Sequence, residues 1–328
     1  MKTFSKTLFV IPLLFSGYVS AQESNDVDLF IEDMLFLADA FASPASESAA
    51  YQGTAGWFTS AAALDKWQVD ISVHGNSLFV PSSKKEVTIN SGNFDILKIT
   101  GANNAIIPTA FGGETDVQFE GEINYLNQTI AISGFDAIDG LDKSSFIYPF
   151  VQVNVGLPFE TEVGVRALPN LEIDGASFST YGIGLKHNIS QYFRFNNNDD
   201  LQLATILSYN LFNVNYGFDP ISVPEIVTFT AIDVNAHILM AEFMASKRYE
   251  NFEIFGALAV AQSSFEYEFN GSGFALPLVN DELIALDDSE AQFKGDIGFN
   301  VYLRDFKIST MATAGKFFNL NIGLHFRI

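Results

Sequence analysis

Phe318-Asn319-Leu320-Asn321-Ile322-Gly323-Leu324-His325-Phe326-Arg327-Ile328 alternates without a fault. Phe318, Leu320, Ile322, Leu324, Phe326 and Ile328 share one parity. Asn319, Asn321, Gly323, His325 and Arg327 share the other. Successive side chains of a strand point to opposite faces, so this segment has one apolar and one polar face. Two settings fit: a transmembrane β-barrel, or an amphipathic strand of a secreted soluble β-sandwich. The barrel is favoured, because the alternation ends on an apolar residue where chain ends are usually frayed and polar. Its apolar end is then also expected to be the signal read by the outer-membrane insertion machinery.

Composition points the same way. The chain of 328 residues is 48% hydrophobic and has 33 phenylalanines, yet its formal net charge is −22. No window holds about 20 uninterrupted apolar residues, so helical spanning is excluded. Short alternating segments reconcile these facts, since a barrel carries its hydrophobicity on every second residue. The acidity argues against nucleic-acid partners, which require basic patches. There is no cysteine, hence no disulfide framework and no thiolate metal site.

Lys2 and Lys6, the apolar run 8–15 and Val19-Ser20-Ala21 read as a secretory leader over 1–21, cleaved after Ala21. Val27, Phe30, Ile31, Met34, Leu37, Ala38 and Phe41 recur at helical spacing. The expectation is a helix over 25–42, capped by Ser24, Asn25 or Asp26 and stopped by Pro44. Residues 22–65 then form an N-terminal plug or lid ahead of a barrel over 66–328.

Ten strands are expected. The first covers 67–74, with a turn at Gly75-Asn76. Others follow near 147–157, 160–167, 178–189, 201–210, 232–247, 252–265, 292–303, 306–313 and 318–328. The parity of 252–265 is ambiguous. The 232–247 strand loses its parity near Glu242-Phe243, which suggests a bulge. Residues 76–146 are either one long outer loop with its own small sheet or extra hairpins that raise the count to 12–14. Connections are short at 157–160, 247–251 and 304–305 and long at 168–177, 213–228 and 266–290. Outer-membrane barrels have short periplasmic turns and long external loops. The first strand therefore rises from the periplasm, and the last returns there.

The leader, the acidic apolar helix, Gly56-Trp57-Phe58-Thr59-Ser60-Ala61, the strand from Trp67 with Val80-Pro81 after it, and Ile107-Pro108-Thr109-Ala110-Phe111-Gly112-Gly113 together resemble a family of uncharacterised bacterial outer-membrane β-barrel proteins. The layout is more distantly similar to the outer-membrane long-chain fatty acid transporters. That resemblance implies a hatch blocking the lumen and passage of hydrophobic molecules; it transfers no functional residue.

Chemistry is sparse. His74, His187, His237 and His325 lack metal-ligand spacing. Asp281-Glu282 and Asp287-Asp288 read as a solvated acidic loop rather than a calcium site. Serine, histidine and carboxylate residues are too scattered to name a triad, so catalysis is disfavoured, and no metal or cofactor is expected. The candidate site is the inward polar set: Gln152, Asn154, Glu162, Arg166, Lys186, Gln202, Asn210, Asp233, His237, Lys294, Asp296, Asn319, Asn321 and Arg327. It lines a path for a small, hydrophobic solute, or else it is a hydrogen-bonded filling of a closed barrel that acts through its acidic outer loops.

Overall fold

The computed structural model describes residues 26–125, 128–173, 176–193, 201–224, 226–285 and 288–328. The leader and its cleavage after Ala21, the caps Ser24 and Asn25, Asp287 and most of 191–200 lie outside these residues.

Helix α1 (Asp26–Thr54) continues through Pro44 instead of stopping there. A proline in a helix interior costs about 3 kcal/mol, through a lost N–H and a crowded carbonyl. Packing offsets that cost: Phe41, Ala42, Ser46, Ser48 and Ala49, on both sides of Pro44, are buried. The small residues after Pro44 read as loop in the sequence. They are what lets a helix enter a narrow lumen.

Strand β1 (Val69–Phe79) follows. An excursion then carries β2 (Glu86–Asn90), β3 (Leu97–Ile99), β4 (Asn104–Pro108), β5 (Gln118–Tyr125) and β6 (Gln128–Asp136). The chain continues with β7 (Ser145–Leu157), β8 (Thr161–Ile173), β9 (Ala176–Asn188), β10 (Leu201–Val223), β11 (Val227–Tyr249) and β12 (Phe252–Ser272). Helix α2 (Leu276–Ala285), β13 (Asp288–Leu303), β14 (Phe306–Ala314) and β15 (Phe318–Arg327) complete it.

β1 and β7 to β15 close into an antiparallel barrel, the all-β transmembrane fold with an N-terminal helix. The stretch 318–328 is β15, and it pairs with both β14 and β1, so the two ends of the sheet meet and the barrel closes. Among the described residues the count is ten, and 80–144 add no barrel hairpin. Their strands form two separate small sheets, β2-β4 and β3-β5-β6, here called the cap. β1 does not turn at Gly75-Asn76 but alternates on to Phe79.

Three expected loops are strand or helix instead. β10 and β11 pair out to Val223↔Val227, so 213–228 is a tall hairpin. β8 and β9 pair to Ile173↔Ala176. Residues 266–290 contain the top of β12 and α2. The wall therefore rises high over β10 to β12 and stays low over β14 and β15. No bulge interrupts Glu242-Phe243, since the β10–β11 register there is continuous.

What changes along β11 is the surroundings. In the lower wall Leu239 and Phe243 face outward and are exposed, as are Leu207, Leu258, Phe293 and Ile297 on other strands, while Glu242 and Ser246 are buried inside. That is the lipid belt of a membrane barrel. Trp67, Phe159, Tyr192 and Tyr249 mark its short-turn rim, the place of an aromatic girdle. Higher up the polarity inverts. Ile232, Ala236, Ile238, Phe265 and Phe269 are buried inside, whereas Asn213 pairs with Asn235 on the outer face.

Helix α1 causes the inversion. It lies between the tall wall and the cap, and it needs apolar partners inside a barrel that water surrounds at this height. Phe36 meets Phe94 of the cap edge-on, and Phe41 stacks on Tyr216 of the wall. The helix begins at the long-connection end, where Asn124 of β5 donates to Asp26. Residues 55–68 then descend through the lumen to β1.

Asp33 fastens the cap. Its carboxylate accepts from the backbone N–H groups of Asp95, Ile96 and Leu97 at 2.9, 2.8 and 2.7 Å. Burial raises the carboxyl above its ordinary value despite those three donors. Asp33→Ala orphans them, at about 1–3 kcal/mol. Faster hydrogen exchange at amides 95–97 in the variant checks this, and unchanged protection refutes it.

Candidate functional site in the barrel lumen

A helix end leaves four carbonyls without intrahelical partners. Here strands on different sides of the barrel supply donors. Asn319 Nδ2 reaches Tyr51 O at 3.4 Å, and Tyr148 Oη donates to Gln52 O. Arg166 reaches Gly53 O at 3.2 Å and Ala55 O at 2.9 Å. Lys294 Nζ reaches Thr54 O at 3.1 Å. Two of these donors are cations at a helix C-terminus, where the dipole favours positive charge.

The grip continues below the helix. Gln152 donates to Trp57 O at 2.6 Å and Asn300 to Thr59 O at 2.6 Å. Lys186 donates to Ser60 O and Ala62 O at 3.0 and 2.8 Å, and Asn188 to Ala61 O at 2.9 Å. Trp57 and Phe58 fill the bore. Glycine at 182 and 184 makes room, since a Cβ there would lie 2.8 and 2.6 Å from the Trp57 ring. The Arg166 guanidinium sits 4.0 Å from the Trp57 ring centre and 4.2 Å from that of Phe150, in cation–π contact with both.

Most of the expected inward residues meet here. Gln152 Oε1 accepts from Arg166, and Asn154 accepts from Gln152. Glu162 pairs with Lys186 at 2.7 Å. Lys294 lies 2.8 Å from Asp296 and 3.5 Å from Glu242. Asn210 packs against Gly53 and Gly182. Asn321 bonds His74, and Arg327 reaches Asp70 at 3.2 Å. Gln202 accepts from Asn188. Asp233 and His237 are corrections: they face outward. Asp233 accepts from Asn215 and Asn270, and His237 bonds Tyr209 on the outer face. The polar parity of β11 faces inward within the lipid belt and outward above it.

Sequence reasoning missed Tyr148, Asn188, Glu242, Glu253 and Lys307. Glu242 was hidden by the supposed bulge and Glu253 by the ambiguous parity of β12. Also missed is an aligned set in which Ser309 Oγ, His325 Nε2, His325 Nδ1 and Asp70 Oδ1 are linked by two contacts of 2.9 Å. It has the order of a hydrolytic triad but no room to act as one. Ser309 is wholly buried. A Cβ on the opposing Gly323 would come within 2.6 to 2.8 Å of Ser309, His74 and His325.

Two spaces flank the gripped segment. Below it, a polar cavity of about 330 Å³ is lined by Asp70, Glu162, Lys186, Glu253, Lys307 and Arg327 among others. Above it, beside α1, a chamber of about 70 Å³ is walled almost entirely by apolar groups, including Phe41, Phe111, Phe146, Phe178, Phe212 and Ala236.

These features define a class, a transmembrane β-barrel whose lumen is occupied by its own N-terminal helix and the segment after it. The chain belongs to the family of unknown function DUF6588, which it matches over residues 1–328. Similar solved structures include the translocator domain of the autotransporter NalP from Neisseria meningitidis, at 9% identity and TM-score 0.35, covering 91% of this chain and 99% of that one. The toluene transporter TbuX of Ralstonia pickettii is 6% identical at TM-score 0.29, covering 80% of this chain and 90% of that one. The outer membrane protease OmpT of Escherichia coli is 10% identical at TM-score 0.29, covering 80% and 97%. No curated protein matches the sequence.

Proposed function

We propose that the protein sits in the bacterial outer membrane and binds or passes a small apolar molecule, with residues 22–65 as its plug. The apolar chamber carries this reading. Barrel lumens are polar as a rule, and an apolar hollow between a plug helix and its wall is the kind of site that takes an apolar ligand. At about 70 Å³ the hollow is smaller than the ~150 Å³ cavity that admits benzene. Binding therefore moves rings of the lining, such as Phe111 and Phe146, whose centres are 5.2 Å apart.

The test uses Trp57 as the only donor, in a Trp67→Phe background. Protein in phospholipid nanodiscs should show saturable energy transfer from Trp57 to N-phenyl-1-naphthylamine. Ala236→Phe, which fills the chamber, should weaken that binding about tenfold or more. Transfer that never saturates, or that Ala236→Phe leaves unchanged, removes the reading. The second reading, a closed structural or surface-interaction barrel, is favoured by the carbonyl-by-carbonyl grip on 51–62. It predicts no saturable transfer.

A further inference from the structure

We propose that the seam between β7 and β8 is a lateral port, through which a small apolar molecule dissolved in the outer leaflet reaches the chamber. This rests on the chamber being a binding site. The β7–β8 ladder stops at Val151↔Ala167, although β7 extends to Ser145 and β8 to Ile173. Above that point β7 stays paired with β1. β8 stays paired with β9, after a register shift between Leu168 and Leu171. Among the described residues the two facing edges have no further ladder.

The sequence makes the break. Carrying the register two pairs beyond Val151↔Ala167 sets Pro149 opposite Pro169. Neither has an N–H to give, and proline is confined to strand edges and bulges for that reason. Side chains close the seam in place of backbone bonds. Tyr148, Phe150 and Leu168 form a cluster of their own, with Leu171 against it. Such a closure opens by rotamer changes, without breaking a ladder.

Arg166 and His74 lie against Phe150 at the lower end of this closure, and the apolar route to the chamber runs above them. The chamber reaches Phe146 of β7 on one flank and Ala176 and Phe178 of β9 on the other. Outside, Ile147 and Val151 are 67% and 49% exposed, so the seam meets the lipid belt rather than water. The port is also tied to the plug, because Tyr148 donates to Gln52 O of α1. Parting the seam at Tyr148 frees one of the helix carbonyls that hold the plug.

The chain has no cysteine, so a designed pair is clean. Pro149→Cys with Pro169→Cys, in the Trp67→Phe background, locks the seam when oxidised. N-phenyl-1-naphthylamine preloaded into nanodisc lipid should then reach Trp57 about tenfold or more slowly than in the proline-containing protein. Val153→Cys with Val165→Cys, at an existing pair, should leave the rate unchanged when oxidised. Equal rates with the seam locked and unlocked, alongside saturable binding, overturn the port alone. Absence of saturable binding in the unlocked protein overturns both the port and the chamber.

Discussion

Deleting residues 22–65 will turn a silent barrel into one that shows discrete open-channel steps in a planar bilayer. The interior of an eight-stranded barrel is just filled by side chains, and diameter grows with strand number. Ten strands leave space for one more element, and here it is the chain's own 51–65. Trp57 and Phe58 occupy the bore at the level of Gly182 and Gly184, and those glycines leave nothing behind when the rings go. Arg166, Lys186 and Lys294 lose carbonyl partners in the deletion, but water in an open bore replaces them. Trp57→Ala with Phe58→Ala keeps every backbone acceptor and supplies a check if the deletion fails to assemble. It should show steps of intermediate size. A folded deletion variant with no steps would mean that wall side chains alone close the lumen.

The parts legible in the sequence are those with a uniform environment. β15 meets lipid outside and a polar lumen inside along its whole length, so its alternation reads directly. The same holds for β13 and for the lower parts of β7 to β9, below the apolar chamber. β11 breaks the pattern because its upper half has water outside and α1 inside. Asp233 and His237 were thus assigned to the wrong face, although their parity was read correctly. Pro44 misled for a related reason: helix-stop rules describe a solvated helix, and this one is buried on both sides of its proline. Tall hairpins such as 213–228 looked like loops, because strand signals rest on a half-buried surface that the cap and helix alter. The candidate site was half legible. Arg166, Lys186 and Lys294 could be placed on the lumen face by parity, but the carbonyls they hold, at residues 53 to 62, sit more than a hundred positions away in the chain. No local pattern records such a pairing.

The largest loss of stability in a single substitution is expected at Lys294. Its ammonium lies 2.8 Å from Asp296, 3.5 Å from Glu242 and 3.1 Å from Thr54 O. The Lys294, Glu242 and Asp296 side chains are 3%, 4% and 0% exposed, so water screens none of these contacts. Lys294→Met keeps the stem volume and removes the charge. It leaves two carboxylates facing one another in the wall and removes one bond from Thr54 O. Breaking a buried pair in this way costs about 3–5 kcal/mol, and the lost hydrogen bond to Thr54 O adds to that. The urea midpoint of detergent-solubilised protein, followed by the loss of the compact band on unheated gels, should fall accordingly. The cause is separable from lost packing. Neutralising the partners as well, with Glu242→Gln and Asp296→Asn, removes the stranded charges and should recover most of the midpoint, since replacing a whole buried ionic cluster is often near neutral. The Lys294 bond to Thr54 O is still missing, and the plug should be looser than in the parent, with brief openings in the bilayer. If Lys294→Met alone unfolds at the parent's urea concentration, the cluster does not hold the wall to the plug.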